Sequence, residues 1–260
     1  RTKRLKDSAA FLVAHISDTT VKQLLAEPDM TDIPDYFLEG RNDLTGTLKV
    51  GPAVKTIGAS AFANTKLAGL DLSKAISLVE IGHGAFYAAT NLAGTLVIPS
   101  TVTKIGPDAF YYTELTGLDL SKATSLVEIG ESAFFRSAKL VGTLKVGPAV
   151  KTIGTSAFAY ASLAGLDLSN ATSLVEMGEN AFSGTNLAST LMVGPVVKTI
   201  GAFAFANTKL AGLDLSKATS LVSIGEWAFS DTNLAGTRSR TAGQSGAARG
   251  GKASAGTEDT

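Results

Sequence analysis

The sequence repeats itself, and that repeat limits its fold more than any other feature. One unit reads Leu44-Thr-Gly-Thr-Leu-Lys-Val-Gly-Pro-Ala-Val-Lys-Thr-Ile-Gly-Ala-Ser-Ala-Phe62. A second reads Leu67-Ala-Gly-Leu-Asp-Leu-Ser-Lys-Ala-Ile-Ser-Leu-Val-Glu-Ile-Gly-His-Gly-Ala-Phe86. First units begin at Leu44, Leu92, Leu140 and Leu187, and second units at Leu67, Leu115, Leu163 and Leu210. The result is eight repeats in four pairs, with a paired period of 48 residues that falls to 47 after Leu140. Another first unit starts at Leu234 and stops after Thr237. Self-similarity at such a period is the signature of a solenoid, which grows by stacking turns and not by enlarging one core.

Within each unit, Leu70-Asp71-Leu72 and its equivalents alternate apolar, polar, apolar, the pattern of a strand with one buried face. A turn follows, then a second apolar pair such as Val54/Ile57 or Leu78/Ile81, then Gly. Each unit closes on Ala-Phe, at Phe62, Phe86, Phe110, Phe134, Phe158, Phe182, Phe205 and Phe229. An Ile, or Met177 in one unit, always lies five residues before that Phe. Spacing this constant predicts ladders of like side chains along the axis and a parallel sheet of eight strands. One unit has too few large apolar side chains to offset the entropy of ordering its backbone, so neighbours must cover it on both sides.

These residues resemble the BspA-like leucine-rich repeats, whose pattern is Leu-x-x-Leu-x-Leu or Leu-x-x-x-Leu-x-Val, a turn, then Ile-Gly-x-x-Ala-Phe. The match covers 44–233, with a weaker echo at Ile33-Pro-Asp-Tyr-Phe37-Leu-Glu-Gly. The resemblance implies an α/β-type repeat solenoid with a parallel sheet on its concave face and short turns or helical segments on its convex face. It also implies surface adhesion and contact with protein partners, at a cell surface or secreted. It supplies no catalytic residues.

The expected domains are an N-terminal helical cap with a degenerate half-repeat over 1–43, the solenoid over 44–237, and a disordered tail over 238–260. The cap helix spans 5–27, where Leu12/Ile16 and Val21/Leu24/Leu25 keep helical spacing and Pro28 ends the run. The tail is built of Gly, Ala, Ser, Thr and Arg. An uncapped last repeat allows end-to-end self-association.

Composition narrows the function. The 23 basic and 23 acidic residues cancel, which argues against a nucleic-acid partner. With no cysteine there are no disulfides, thiolate metal sites or cysteine nucleophiles. No apolar run reaches the ~20 residues of a membrane helix, so no membrane insertion is expected. Only His15 and His83 are present, and no Ser–His–Asp set can be assembled around either. Gly82-His83-Gly84 lacks the third glycine of a nucleotide fingerprint, and Gly250-Gly-Lys252 lacks the spacing of a phosphate loop. No enzyme, metal or cofactor is expected.

Two candidate surfaces remain. Asp71, Asp119, Asp167 and Asp214 recur on the Leu strands, opposite Lys49, Val97, Lys145 and Met192. They read as a solvated face with cross-strand charge pairs, or as a stripe for a basic partner. The two residues after each Phe vary against a constant background, and four consecutive repeats place Tyr87, Tyr111, Tyr112, Phe135, Arg136 and Tyr160 there. That patch is the preferred partner-binding site. Phe203 and Trp227 offer a second sticky site near the open C-terminal end, as a rival to the patch. The leading function is a non-catalytic adhesion or recognition module. The alternatives are an intracellular scaffold, a structural spacer, or an ice- or crystal-surface binder using Thr47, Thr95, Thr143 and Thr190.

Overall fold

A computed structural model describes residues 30–234, all of them in one parallel β-solenoid. The helix expected over 5–27 and the tail over 238–260 lie outside the described residues. Among the described residues there is no α-helix, so the segments facing away from the strands are turns throughout.

Nine two-residue strands form one continuous parallel sheet. They are Asp32–Ile33, Thr56–Ile57, Glu80–Ile81, Lys104–Ile105, Glu128–Ile129, Thr152–Ile153, Glu176–Met177, Thr199–Ile200 and Ser223–Ile224. Each pairs in register with the next, so Ile57 lies beside Ile81 and Met177 beside Ile200. The echo at Ile33 is therefore a full member of the array.

The sheet expected through the Leu-x-Leu stretches is instead broken into four pairs. Thr47–Lys49 pairs with Gly69–Asp71, Ala93–Val97 with Glu114–Asp119, Thr143–Lys145 with Gly165–Asp167, and Thr190–Met192 with Gly212–Asp214. The alternation of unit types explains this. First units run Leu-x-x-x-Leu into a short turn, whereas second units run Leu-x-x-Leu into a longer one. Within a pair, the glycine of the second strand lies under the threonine of the first. A Cβ on Gly165 would sit 2.5 Å from the Thr143 Oγ1. The fit works in one direction only, so each first-unit strand gains one close neighbour.

The core runs the length of the solenoid. Seven of the repeat phenylalanines, from Phe62 to Phe205, are wholly buried, and their rings stack 5.2–5.4 Å apart. Phe229 continues the stack at 5.4 Å and is only partly buried, at the last turn. In the degenerate repeat, Leu38 and not Phe37 holds the ladder position, since its N–H donates to the Ala61 carbonyl as that of Phe62 does to Ala85. Three further N–H groups per turn bond to neighbouring turns, so this outward segment is a hydrogen-bonded stack as well as a packed one.

The glycine after each ladder Ile is required by close approach. A Cβ on Gly130 would lie 2.6 Å from the Gly106 carbonyl carbon and the Pro107 nitrogen, which are backbone atoms that cannot yield. Replacing Gly130 with Ala should therefore lower stability severely despite the small change in volume. Phe134→Ala, which opens a cavity mid-ladder, should lose ~3–5 kcal/mol, and Asp119→Ala should lose far less. Urea unfolding of the three variants tests the order; a milder effect for Phe134 than for Asp119 would contradict the assignment of faces.

Candidate functional site

The outward turn that follows each ladder Ile carries two residues in the left-handed region, two positions before and two positions after the ladder Phe. Among the described turns the first set is Tyr36, Ser60, Gly84, Asp108, Ser132, Ser156, Asn180, Phe203 and Trp227. The second is Gly40, Asn64, Ala88, Tyr112, Arg136, Tyr160, Gly184, Asn207 and Asp231. Gly tolerates this conformation freely, and Asn and Asp more easily than other residues. After the second position the chain turns inward, and where a Thr stands there its buried hydroxyl caps the preceding ladder carbonyl: the Thr65, Thr113, Thr185 and Thr208 hydroxyls donate to the Phe62, Phe110, Phe182 and Phe205 carbonyls, whereas Ala89 and Ala161 hold that place in two other turns.

The structure brings the aromatic patch together. The rings of Tyr87, Tyr111 and Phe135 stack on one another at 4.8 and 5.0 Å. Tyr160 meets Phe135 edge-on at 5.6 Å, and the Arg136 guanidinium lies 5.5 Å from the Phe135 ring centre and 6.0 Å from that of Tyr160. Tyr112 and Tyr160 remain 52% and 54% exposed. Tyr160 also leans over Gly184 in the next turn, where a Cβ would fall 2.7 Å from its ring. The patch ends at that glycine.

The second candidate surface is placed in register as expected, with Lys49 opposite Asp71 and Lys145 opposite Asp167. Each Asp is the last residue of its strand, not a mid-strand residue, and does a local job. The carboxylates of Asp71, Asp119, Asp167 and Asp214 accept the backbone N–H of Ser73, Ser121, Ser169 and Ser216 at 2.8–2.9 Å. Hydrogen bonding from these serines holds all four below the usual aspartate range, and charge from Lys49, Lys145 and other lysines adds less. The Asp-x-Ser spacing was visible in the sequence and is the signal that points to this role. Where the first two strand pairs part, a groove of about 610 Å³ opens beside Leu70, Val97, Pro99, Thr101 and Lys122.

His83 lies on an exposed turn and has one close acidic neighbour. Its Nε2 lies 3.4 Å from the Asp108 carboxylate of the next turn. Burial pushes the Asp108 carboxyl up and the nearby Glu131 adds to this, while His83 opposes them. Among the described residues no group of three or more His, Asp or Glu could hold a metal ion, and no helix is long and apolar enough to cross a membrane.

Fold and surface together define a parallel leucine-rich solenoid whose inside is uniform and whose outward turns carry the variation. The family profile described as a BspA type leucine rich repeat region matches six times, over residues 16–141 and 103–235, and the chain belongs to that family. Among solved structures, a leucine rich cell surface protein from Faecalibacterium prausnitzii A2-165 is similar, at 22% identity and a TM-score of 0.50 over 78% of this chain and 43% of that one. A leucine-rich repeat protein from Bacteroides ovatus ATCC 8483 aligns at 20% identity and a TM-score of 0.49, over 80% of this chain and 58% of that one. The chain thus spans less than two thirds of the length of either. No curated protein sequence matches it.

Stability should depend on pH through the strand-end aspartates. Their folded pKa is depressed, so their contribution is complete above the unfolded value of ~3.9 and is lost as pH falls below it. Changing all four to Asn should flatten the loss of stability between about pH 4 and pH 2. Chemical unfolding across that range measures it, and an unchanged slope would show that the serine contacts do not hold in solution.

Proposed function

We propose that the chain is a non-catalytic recognition module, acting at a cell surface, that binds a protein partner through the patch of Tyr87, Tyr111, Tyr112, Phe135, Arg136 and Tyr160. One observation carries the reading. The second left-handed position holds Gly, Asn or Asp in five of the nine described turns, and Ala88, Tyr112, Arg136 and Tyr160 in four consecutive ones. A side chain other than Gly, Asn or Asp in this conformation costs about 1 kcal/mol or more. Stability alone would favour Asn in all of them, so the bulky residues there serve another purpose.

The chemistry of the patch supports a protein partner. Tyr and Arg are enriched at interface hot spots, and rigid rings bury area at low entropic cost. Stacking with one another fixes Tyr87, Tyr111 and Phe135 before any partner arrives, and Arg136 can still grip a carboxylate. Surface location is supported by the family and by a structural relative described as a cell surface protein. The strand-end aspartates are a weaker choice of site, because the adjacent serines already use their carboxylates.

The test separates binding from folding. Tyr112→Ala, Arg136→Ala and Tyr160→Ala should each weaken capture of a partner by roughly tenfold or more, whereas Lys145→Ala and Asp167→Ala leave it intact. Tyr112→Asn should weaken binding equally and yet raise the unfolding free energy by about 1 kcal/mol. Loss of binding confined to Lys145 and Asp167 would place the site on the Leu strands instead.

A further inference from the structure

The first left-handed position shows the same departure at a different place. Ser60, Gly84, Asp108, Ser132, Ser156 and Asn180 fill it in six successive turns, and then Phe203 and Trp227 take it, with φ of 54° and 59°. Bulky aromatic residues are outliers in this region, and strain of this kind points to function when the fold does not need it. The fold does not need it here. Both side chains face outward, 38% and 57% exposed, and the ladder residues Phe205 and Phe229 supply the packing.

The neighbours of this pair are acidic. Glu179 and Glu226 hold the exposed position just before the left-handed residue in the turns of Phe182 and Phe229, so they flank Ala202, the residue before Phe203, from the turn on each side, and the Glu179 carboxylate accepts from the Asn180 amide at 3.4 Å. The Phe203 N–H donates to the Glu226 carbonyl at 3.0 Å, which ties the two turns together at this point. Asp231 lies four residues beyond Trp227, at the second left-handed position of the same turn. The pair is separate from the central patch, on the opposite side of the ladder Phe, and Gly184 and Asn207 intervene in that patch's own column.

We propose that Phe203 and Trp227, with Glu179 and Glu226, form a second docking site that takes a lysine or arginine side chain of a basic peptide segment. An exposed indole attracts a cation over its face, and carboxylates in its own turn and two turns away favour the same charge and disfavour an acidic partner. The inference stands apart from the central patch, since it rests on different residues and predicts the opposite charge preference from Arg136.

Trp227 is the only tryptophan of the chain, so its fluorescence reports this site alone. The 260-residue chain is titrated with a blocked Gly-Lys-Gly-Lys-Gly peptide and with the same peptide carrying Gln or Glu in place of Lys. The lysine peptide should change Trp227 emission saturably, the effect should weaken with salt, and the Gln and Glu peptides should leave emission unchanged. Glu226→Gln and Glu179→Gln should each weaken the response by roughly two- to fivefold. Phe203→Asn should abolish it while the thermal midpoint stays the same or rises, which separates lost binding from lost folding. Tyr112→Ala should leave it untouched. An equal response to the Gln or Glu peptide would overturn the proposal, as would no response to the lysine peptide at millimolar concentration. A salt-dependent shift without peptide would make the chain's own basic residues the occupant. Concentration-dependent mass in sedimentation that disappears in Phe203→Asn would make it a second copy. Either result would likewise overturn the proposal.

Discussion

Each turn of this solenoid meets its neighbour backbone to backbone at the glycine after the ladder Ile, and the rest of the structure depends on that contact. A Cβ at Gly58, Gly82, Gly106, Gly130, Gly154, Gly178, Gly201 or Gly225 would fall 2.3–2.8 Å from backbone atoms of the preceding turn. The approach sets the axial rise. That rise places successive ladder rings at a stacking distance, brings the Ile strands into register, and aligns the outward N–H groups with the carbonyls of the next turn. The three rows reinforce one another, so a change in one is felt along the array.

The repeats tolerate irregularity only where that contact is not at stake. The shortened periods lose their residue between Phe182 and Leu187, and again between Phe229 and Leu234, in the outward turn. Strand register on either side of the first is unaffected, with Glu176 beside Thr199 and Met177 beside Ile200. The degenerate first repeat likewise replaces Phe by Leu38 and keeps the Asp32–Ile33 pairing with Thr56–Ile57. Core rows persist through both departures because the spacing from ladder Ile to ladder Phe is held at five residues.

Much of this was legible in the sequence. The Phe and Ile rows announce themselves by constant spacing, and the alternation at Leu70-Asp71-Leu72 identifies the buried side of the Leu strands. The pairing of those strands was not legible, because it turns on the Gly69 and Thr47 contact across two units of unequal length. Side-chain alternation says which face is buried, but not which neighbour a strand reaches. The role of the aspartates was missed for a related reason: charge opposite charge drew attention across the strands, while the stronger partner lay two residues along the chain. The aromatic patch stands out in the sequence because the two residues after each Phe vary against a constant background. What makes it informative is the backbone conformation beneath it, and no spacing rule revealed that.

A repeat protein offers an internal standard that a globular protein lacks. Eighteen outward positions in nine turns share one left-handed conformation, so physics asks the same of each, and the residues that satisfy it most easily are Gly, Asn and Asp. Departures can then be judged against siblings in the same fold, free of differences in burial or neighbours that confound comparison elsewhere. Ten of the eighteen depart; Ser60, Ser132, Ser156 and Ala88 are small, and the other six are Tyr36, Phe203 and Trp227 on one side of the ladder Phe and Tyr112, Arg136 and Tyr160 on the other. All six are large and all are exposed. Core packing cannot account for side chains that leave the core, and turn geometry opposes them. The partner contact proposed above has enough energy to outweigh that opposition, since a single aromatic anchor at an interface contributes ~2 kcal/mol or more against a backbone cost of about 1 kcal/mol.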